Sequence, residues 1–230
     1  MSSFSEEQKE ANEKIWALIN IKKGMKVLDI GVGEHAASVK KLISLGASVT
    51  GVDNDPAVIE KHKDINAELV CADASKLPFT YGEFDLSLAF YTLHEIDPVL
   101  HKSVISEMLR VSKRIIIVEP ERDKAGLYTE YTRLWKEAMN NIGKFEDYRN
   151  ISYWENLLIE CGAEETVCEK LEYRCTLKGD ESVKFMQYLN ESLKGYGVTQ
   201  EYQNKFAVLM NKIYREGMIF SDVSVLKSKI

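Results

Sequence analysis

Three acidic residues close short apolar runs in the first third of the chain, and each is of a type that can hold part of one ligand. Asp29 lies in the run 27–30, directly before the turn Gly31-Val32-Gly33-Glu34-His35. Glycines there let the backbone approach a ligand, and the helix that follows offers free N–H groups. Asp53 ends the next run with Asn54 beside it, and its two carboxylate oxygens can accept both hydroxyls of a ribose. A third run ends in Cys71-Ala72-Asp73-Ala74, where a carboxylate can accept from an adenine amino group. A glycine turn followed by an acid at the next strand end points to a cofactor that contains a nucleoside.

Those acids serve one site only if their strands run parallel and end at one rim, where ligands bind in an open α/β sheet. The pattern predicts this arrangement. Strands are expected at 27–30, 48–52, 68–71, 84–90 and 114–118. Between them fall a helix burying Val39, Leu42 and Ile43 with Gly46 past its end, a short helix reaching about Asp64, and one after Asp97-Pro98 burying Leu100, Val104, Met108 and Val111. Strands alternating with helices imply parallel βαβ units with right-handed crossovers.

Ahead of this core, Ser5 and Gln8 have capping-box spacing and Ala11, Ile15, Leu18 and Ile19 share a helical face. Past Pro120 a helix carries Leu127, Tyr131, Leu134 and Ala138 on one stripe, and a second begins at Ser152 with Glu155 in box position. An extended segment 165–177, two more amphipathic helices and a closing strand at 218–226 complete the pattern. The expectation is a single domain over 1–230: an N-terminal helical segment 1–24, a cofactor-binding core 25–120, a helical elaboration 121–217 that covers an acceptor site and adds a sheet strand, and a closing strand and tail 218–230. Its class is α/β, a doubly wound, mostly parallel Rossmann-like sheet of about seven strands with helices on both faces.

Composition narrows the function classes. Of 230 residues, 45% are hydrophobic and 29% charged, with only 4 Pro and 13 Gly, which excludes a mainly disordered chain. Thirty basic against 36 acidic residues give a net charge of −6, a field that repels nucleic acid. No apolar run approaches the ~18 residues of a membrane span, and the polar start does not resemble a secretory signal. The four cysteines form no C-x-x-C pair, so a cytoplasmic setting is expected. Cys161, Cys168 and Cys175 recur every seven residues but are expected to be buried, inert thiols; no metal site is expected.

Two cofactors suit the turn. Gly31-x-Gly33-x-x-Ala36 satisfies the dinucleotide fingerprint of an NAD-dependent oxidoreductase. A pyrophosphate would, however, set its negative charge against Asp29 and Glu34. S-adenosylmethionine instead brings a sulfonium and an ammonium group, which acids attract. The segments VLDIGVGEH, VTGVDNDP, CADASKLPF and FDLSLAFYTLHEID resemble the successive motifs of class I S-adenosylmethionine-dependent methyltransferases, in particular the small-molecule branch. The resemblance covers roughly residues 25–120. It implies that Asp29, Gly31 and Gly33 line the methionine part of the cofactor, Asp53 the ribose, and Asp73 and Ala74 the adenine, with Asn54 a further cofactor-binding residue, Phe90 beside the methyl sulfonium and S-adenosylhomocysteine as product. The chain departs from the family in having His35 where a third glycine is usual, and Val111-Ser112-Lys113-Arg114 lacks a glycine pair.

Methyl transfer from a sulfonium requires mainly positioning and exclusion of water. Where the nucleophile must lose a proton, His94 and Glu95, just past the fourth strand, and Glu119, ending the fifth, are the candidate catalytic groups. Each also has a structural role open to it: a helix cap for His94, a solvated acid for Glu95, an ion pair with Arg122 or Lys124 for Glu119. Of the aromatics, Tyr91, Tyr128 and Trp135 are the expected acceptor-binding residues, whereas Tyr131 shares the stripe of Leu127, Leu134 and Ala138 and reads as core. A sensor that binds the cofactor without transfer is the remaining alternative.

Overall fold

The computed structural model describes residues 3–122 and 124–229. Helix α1 spans Phe4–Ile19 and starts at Ser3, whose hydroxyl accepts from the Glu6 N–H while Glu6 accepts from the Ser3 N–H. The capping box is therefore 3–6 and not 5–8. The earlier start lets Phe4 bury its ring against Phe220, with centroids 5.2 Å apart.

Next come β1 (Lys26–Ile30), α2 (Ala37–Ser44), β2 (Ser48–Asp53), α3 (Pro56–Lys61), β3 (Glu68–Cys71), β4 (Leu86–Phe90), α4 (His101–Val111) and β5 (Arg114–Pro120). Helices α5 (Leu127–Asn141) and α6 (Ile151–Glu160) lead to β6 (Glu165–Leu171), then α7 (Asp180–Gly195), α8 (Gln200–Glu216) and β7 (Val223–Lys229). The sheet order is β3-β2-β1-β4-β5-β7-β6. The first five strands pair in parallel, and β7 runs antiparallel between β5 and β6.

Several expected bounds move. The closing strand begins at Val223 and not at 218, because Met218 makes only an isolated bridge to Leu177. Phe84 likewise contributes a lone bridge to Ser112 ahead of β4. Leu100, expected inside α4, caps it instead and stays 36% exposed. The cysteines are free, but none is fully buried, contrary to the expectation for Cys161, Cys168 and Cys175: Cys71 and Cys168 are exposed, Cys161 and Cys175 half-buried.

Alternate strand residues point to opposite faces of the sheet, which sorts the core. Leu28, Ile30, Ala89, Ile115 and Ile117 meet α4 and α6 on one side. Val27, Leu86, Leu88, Ile116 and Val118 meet α1 and α2 on the other. A third cluster joins α5, α7 and α8 around Leu189, Phe206 and Leu209. Because β1 is flanked by β2 on one side and β4 on the other, the chain reverses its winding between β1 and β4, and a crevice opens at their carboxyl ends.

Candidate active site

The turn after β1 is held from below, since the N–H groups of Gly31 and Val32 both donate to the Val52 carbonyl. Gly31 has φ +82°, and a Cβ there would fall 2.4 Å from Thr92 Cγ2, so no larger residue fits. The Gly33 N–H donates to Asp53 Oδ2 at 2.9 Å, and the Asp55 N–H to Oδ1 at 3.0 Å. These two bonds fix the Asp53 carboxylate at the rim.

Two adjoining chambers open there. The smaller, about 250 Å³, is lined by Asp53, Asn54, Asp73 and Ala74 with Ile96 and Leu100. Asp73 is oriented by the Ser75 N–H, 2.8 Å from its Oδ1. The larger, about 590 Å³, runs from Gly31 and Gly33 past Phe90 and Tyr91 to a roof made by α5, the loop 142–150 and α7. Gly31, Asp53, Thr92 and Glu95 line both.

Asp29 differs from expectation. It is fully buried beneath the turn, lines neither chamber, and accepts from Ser38 Oγ at 2.6 Å while its Oδ1 has no partner. Burial pushes its pKa up to about 7, against the Ser38 hydrogen bond. Its carboxylate therefore supports the turn from below and is not a wall of the site.

The candidate catalytic residues form one network but play separate parts. Glu119, 2% exposed, accepts from the N–H groups of Thr92 (2.9 Å) and Leu93 (2.7 Å), and its Oε2 lies 2.5 Å from His94 Nδ1. It lines neither chamber, and Lys124, a suggested partner, pairs with Asp222 instead. Glu119 is thus a positioning residue for His94.

The imidazole of His94 stacks on Tyr148, with centroids 4.8 Å apart. Burial lowers its pKa, but Glu119, then Glu146 and Glu95, raise it to a net value of about 9. That shift favours the imidazolium form of His94, a hydrogen-bond donor, at neutral pH. Glu95 faces the cavity, and burial among protein atoms raises its pKa, partly offset by His94.

Of the aromatic candidates, Tyr91 and Trp135 line the larger chamber, Tyr91 from an uncommon left-handed conformation with φ 53°. Tyr128 does not: it is 5% exposed and packs on Phe220. It lies seven residues, about 10 Å of helix, before Trp135. The reverse holds for Tyr131, which reads as core yet lines the chamber one turn before Trp135.

Glu146 carries no sequence signal at all. It is 4% exposed in the loop after α5, and its Oε1 accepts from Trp135 Nε1 at 2.7 Å. Its Oε2 has no hydrogen-bond partner and stands 3.9 Å from His94 Nε2. Burial raises the Glu146 pKa to about 7, against the pull of His94. The bond from Trp135, eleven residues away in sequence, and the neighbouring Asp147 N–H, which donates to the His94 carbonyl at 2.7 Å, bring it to the site.

Known proteins share this architecture. Residues 27–114 match a family model described as a methyltransferase domain. A Synechocystis methyltransferase described as uncharacterized is 42% identical over 96 residues, 40% of this chain and 44% of that protein. A demethylmenaquinone methyltransferase of Staphylococcus saprophyticus is 29% identical over 150 residues, 60% of this chain and 64% of its own length. The chain thus spans less than two thirds of these curated relatives. An S-adenosylmethionine-dependent methyltransferase from Archaeoglobus fulgidus superposes over 97% of this chain and 94% of its own, with a TM-score of 0.60 and 16% identity. Residues 27–114 thus match a methyltransferase domain, and the strand order and switch-point crevice give the Rossmann-like fold that the superposed methyltransferase shares. Among the described residues, no helix is long and apolar enough to cross a membrane.

Proposed function

We propose that this protein transfers a methyl group from S-adenosylmethionine to a small-molecule acceptor. The observation that carries the reading is the pair of adjoining chambers that share Asp53 and Glu95 at the switch point, one suited to a nucleoside and the other roofed by aromatic rings. The residues present fit the cofactor. Asp53 is pre-oriented by two backbone N–H groups and still has lone pairs for ribose hydroxyls. The turn at Gly31 has no space for a side chain, and Glu34 and Glu95 lie where a pyrophosphate would be repelled.

When bound, the cofactor supplies a methyl group already activated on a sulfonium. The protein's part is to hold both reactants in line and to keep water out. Phe90 and Tyr91 line the larger chamber, and Phe90 is braced by Trp16, with ring centroids 5.0 Å apart. Glu119 fixes His94, and Glu95 and Glu146 are the carboxylates able to take a proton from an acceptor. No Lys or Arg lines the larger chamber, which argues against a nucleic-acid acceptor.

Calorimetry tests the assignment. S-adenosylhomocysteine is expected to bind, NAD is not, and Asp53→Ala is expected to weaken binding by about 1–3 kcal/mol through lost hydrogen bonds while the protein stays folded. Tight binding of NAD with no response to S-adenosylhomocysteine would refute the reading.

A further inference from the structure

We infer that the larger chamber receives its acceptor as a protonated organic amine, with the ammonium nitrogen held between Glu95 and Glu146 against the surrounding aromatic rings. The inference rests on the transfer reading above and names its substrate class.

Of the five carboxylates that line the chamber, two have assigned partners: Glu34 pairs with Lys61, and Asp53 holds two backbone N–H groups. Glu191 lies on the exposed face of α7 at the mouth. Glu95 and Glu146 remain: Glu95 is exposed where the two chambers meet, and Glu146 is buried. Among the described residues the Glu95 side chain makes no hydrogen bond or ion pair. Glu146 is 4% exposed; its Oε1 takes the Trp135 N–H, the Tyr148 hydroxyl also acts on the carboxylate, and its Oε2 has no donor within hydrogen-bond distance. A buried carboxylate oxygen without a donor is costly, and a ligand that brings a donor removes that cost.

The charge count points the same way. His94 is a cation, but Glu119 already offsets it, and its Nε2 stands 3.9 Å from Glu146 Oε2, beyond hydrogen-bond distance. Polar atoms of His94, Glu95 and Glu146 lie within 4.8 Å of one another, a gap that one small donor group can span. An ammonium group supplies the hydrogen-bond donor that Glu146 Oε2 lacks and the positive charge that two carboxylates attract. Around this point the rings of Tyr131, Trp135, Tyr148 and Tyr196 line the chamber, the walls that favour an organic cation. The face of Tyr196 already carries Lys144, whose Nζ is 5.0 Å from the ring centroid. A carboxylate or phosphate acceptor would be set against Glu95 and Glu146, the facing cation His94 being already offset by Glu119, and a neutral quinone would bring no donor to Glu146 Oε2.

The step balances. The ammonium gives one proton to a carboxylate, Glu95 or Glu146. The freed nitrogen lone pair bonds to the methyl carbon as the carbon–sulfur bond breaks, its electron pair passing to sulfur. The products are a methylated ammonium and a neutral thioether.

The test is calorimetry on the full chain saturated with S-adenosylhomocysteine, in the presence of a chelator, with three probes of equal ring and length: phenethylamine, 2-phenylethanol and phenylacetate. Phenethylamine is expected to bind at least tenfold more tightly than 2-phenylethanol, with phenylacetate weakest. That preference should fall below threefold in Glu146→Gln, and in Glu95→Gln where the first variant fails to fold. Equal or tighter binding of the alcohol or the acid, no binding of any probe, or a preference that survives in a folded Glu→Gln variant overturns the inference. If S-adenosylhomocysteine itself does not bind, the transfer reading fails and the amine inference with it. If it binds and the amine preference is missing, only the amine inference fails.

Discussion

Glu119 shows how one buried acid can organise a site it does not touch. Its carboxylate takes two backbone N–H groups and the His94 ring, so the segment that leaves β4 is fixed against β5. The groups facing His94 are Glu119, Glu146, Glu95 and the ring of Tyr148. A folded pKa of about 9, against 6.5 for an ordinary histidine, means that His94 contributes stability that is fully present below pH 6.5 and is lost as pH rises through 9. The whole effect is on the order of 3 kcal/mol. An NMR titration of the His94 ring is expected to show a midpoint near 9, moving down by at least one unit in Glu119→Gln; an unshifted midpoint would contradict the pairing. Gly31 gives a second test at this scale. Gly31→Ala combines a positive φ with a contact of 2.4 Å, and thermal unfolding should register a loss of about 1–3 kcal/mol. Thr92→Ala should recover part of that loss, because Thr92 Cγ2 is the nearest atom.

The elements before Pro120 were legible because local patterning and tertiary demand agree there. Strand β3 falls at Glu68–Cys71 as its apolar run predicts, and the acids Asp53 and Asp73 reach one rim because parallel strands place them there. Asp29 misled because an acid inside a strand is read from its position, whereas its fate depends on Ser38 in the next helix. The roof was harder for a related reason. Helix α5 presents Tyr131 and Trp135 to the chamber and Tyr128 to Phe220, and a stripe on a helical wheel does not record position along the axis. Glu146 belongs to no repeat or motif, so only the folded chain reveals it. Helix α1 makes a prediction of its own, since Trp16 braces Phe90 from outside the core fold. Trp16→Ala should cost about 3 kcal/mol in chemical denaturation and should also weaken S-adenosylhomocysteine binding. A loss of stability with unchanged affinity would show that α1 supports the sheet alone.

Over the whole molecule, a sheet of seven strands sets up one crevice, and the chain after β5 closes it. The net charge of −6 is not spread evenly in its effect: the larger chamber has carboxylates and no Lys or Arg on its walls. That sign suits a sulfonium cofactor and opposes a diphosphate, the distinction on which the account turns. The most direct measurement is a crystal structure of the protein with S-adenosylhomocysteine. The account predicts the ribose hydroxyls within hydrogen-bond distance of Asp53, the adenine in the smaller chamber beside Asp73, and the sulfur next to Phe90 at the floor of the larger one. A ligand bound elsewhere, or a ribose turned away from Asp53, would contradict it.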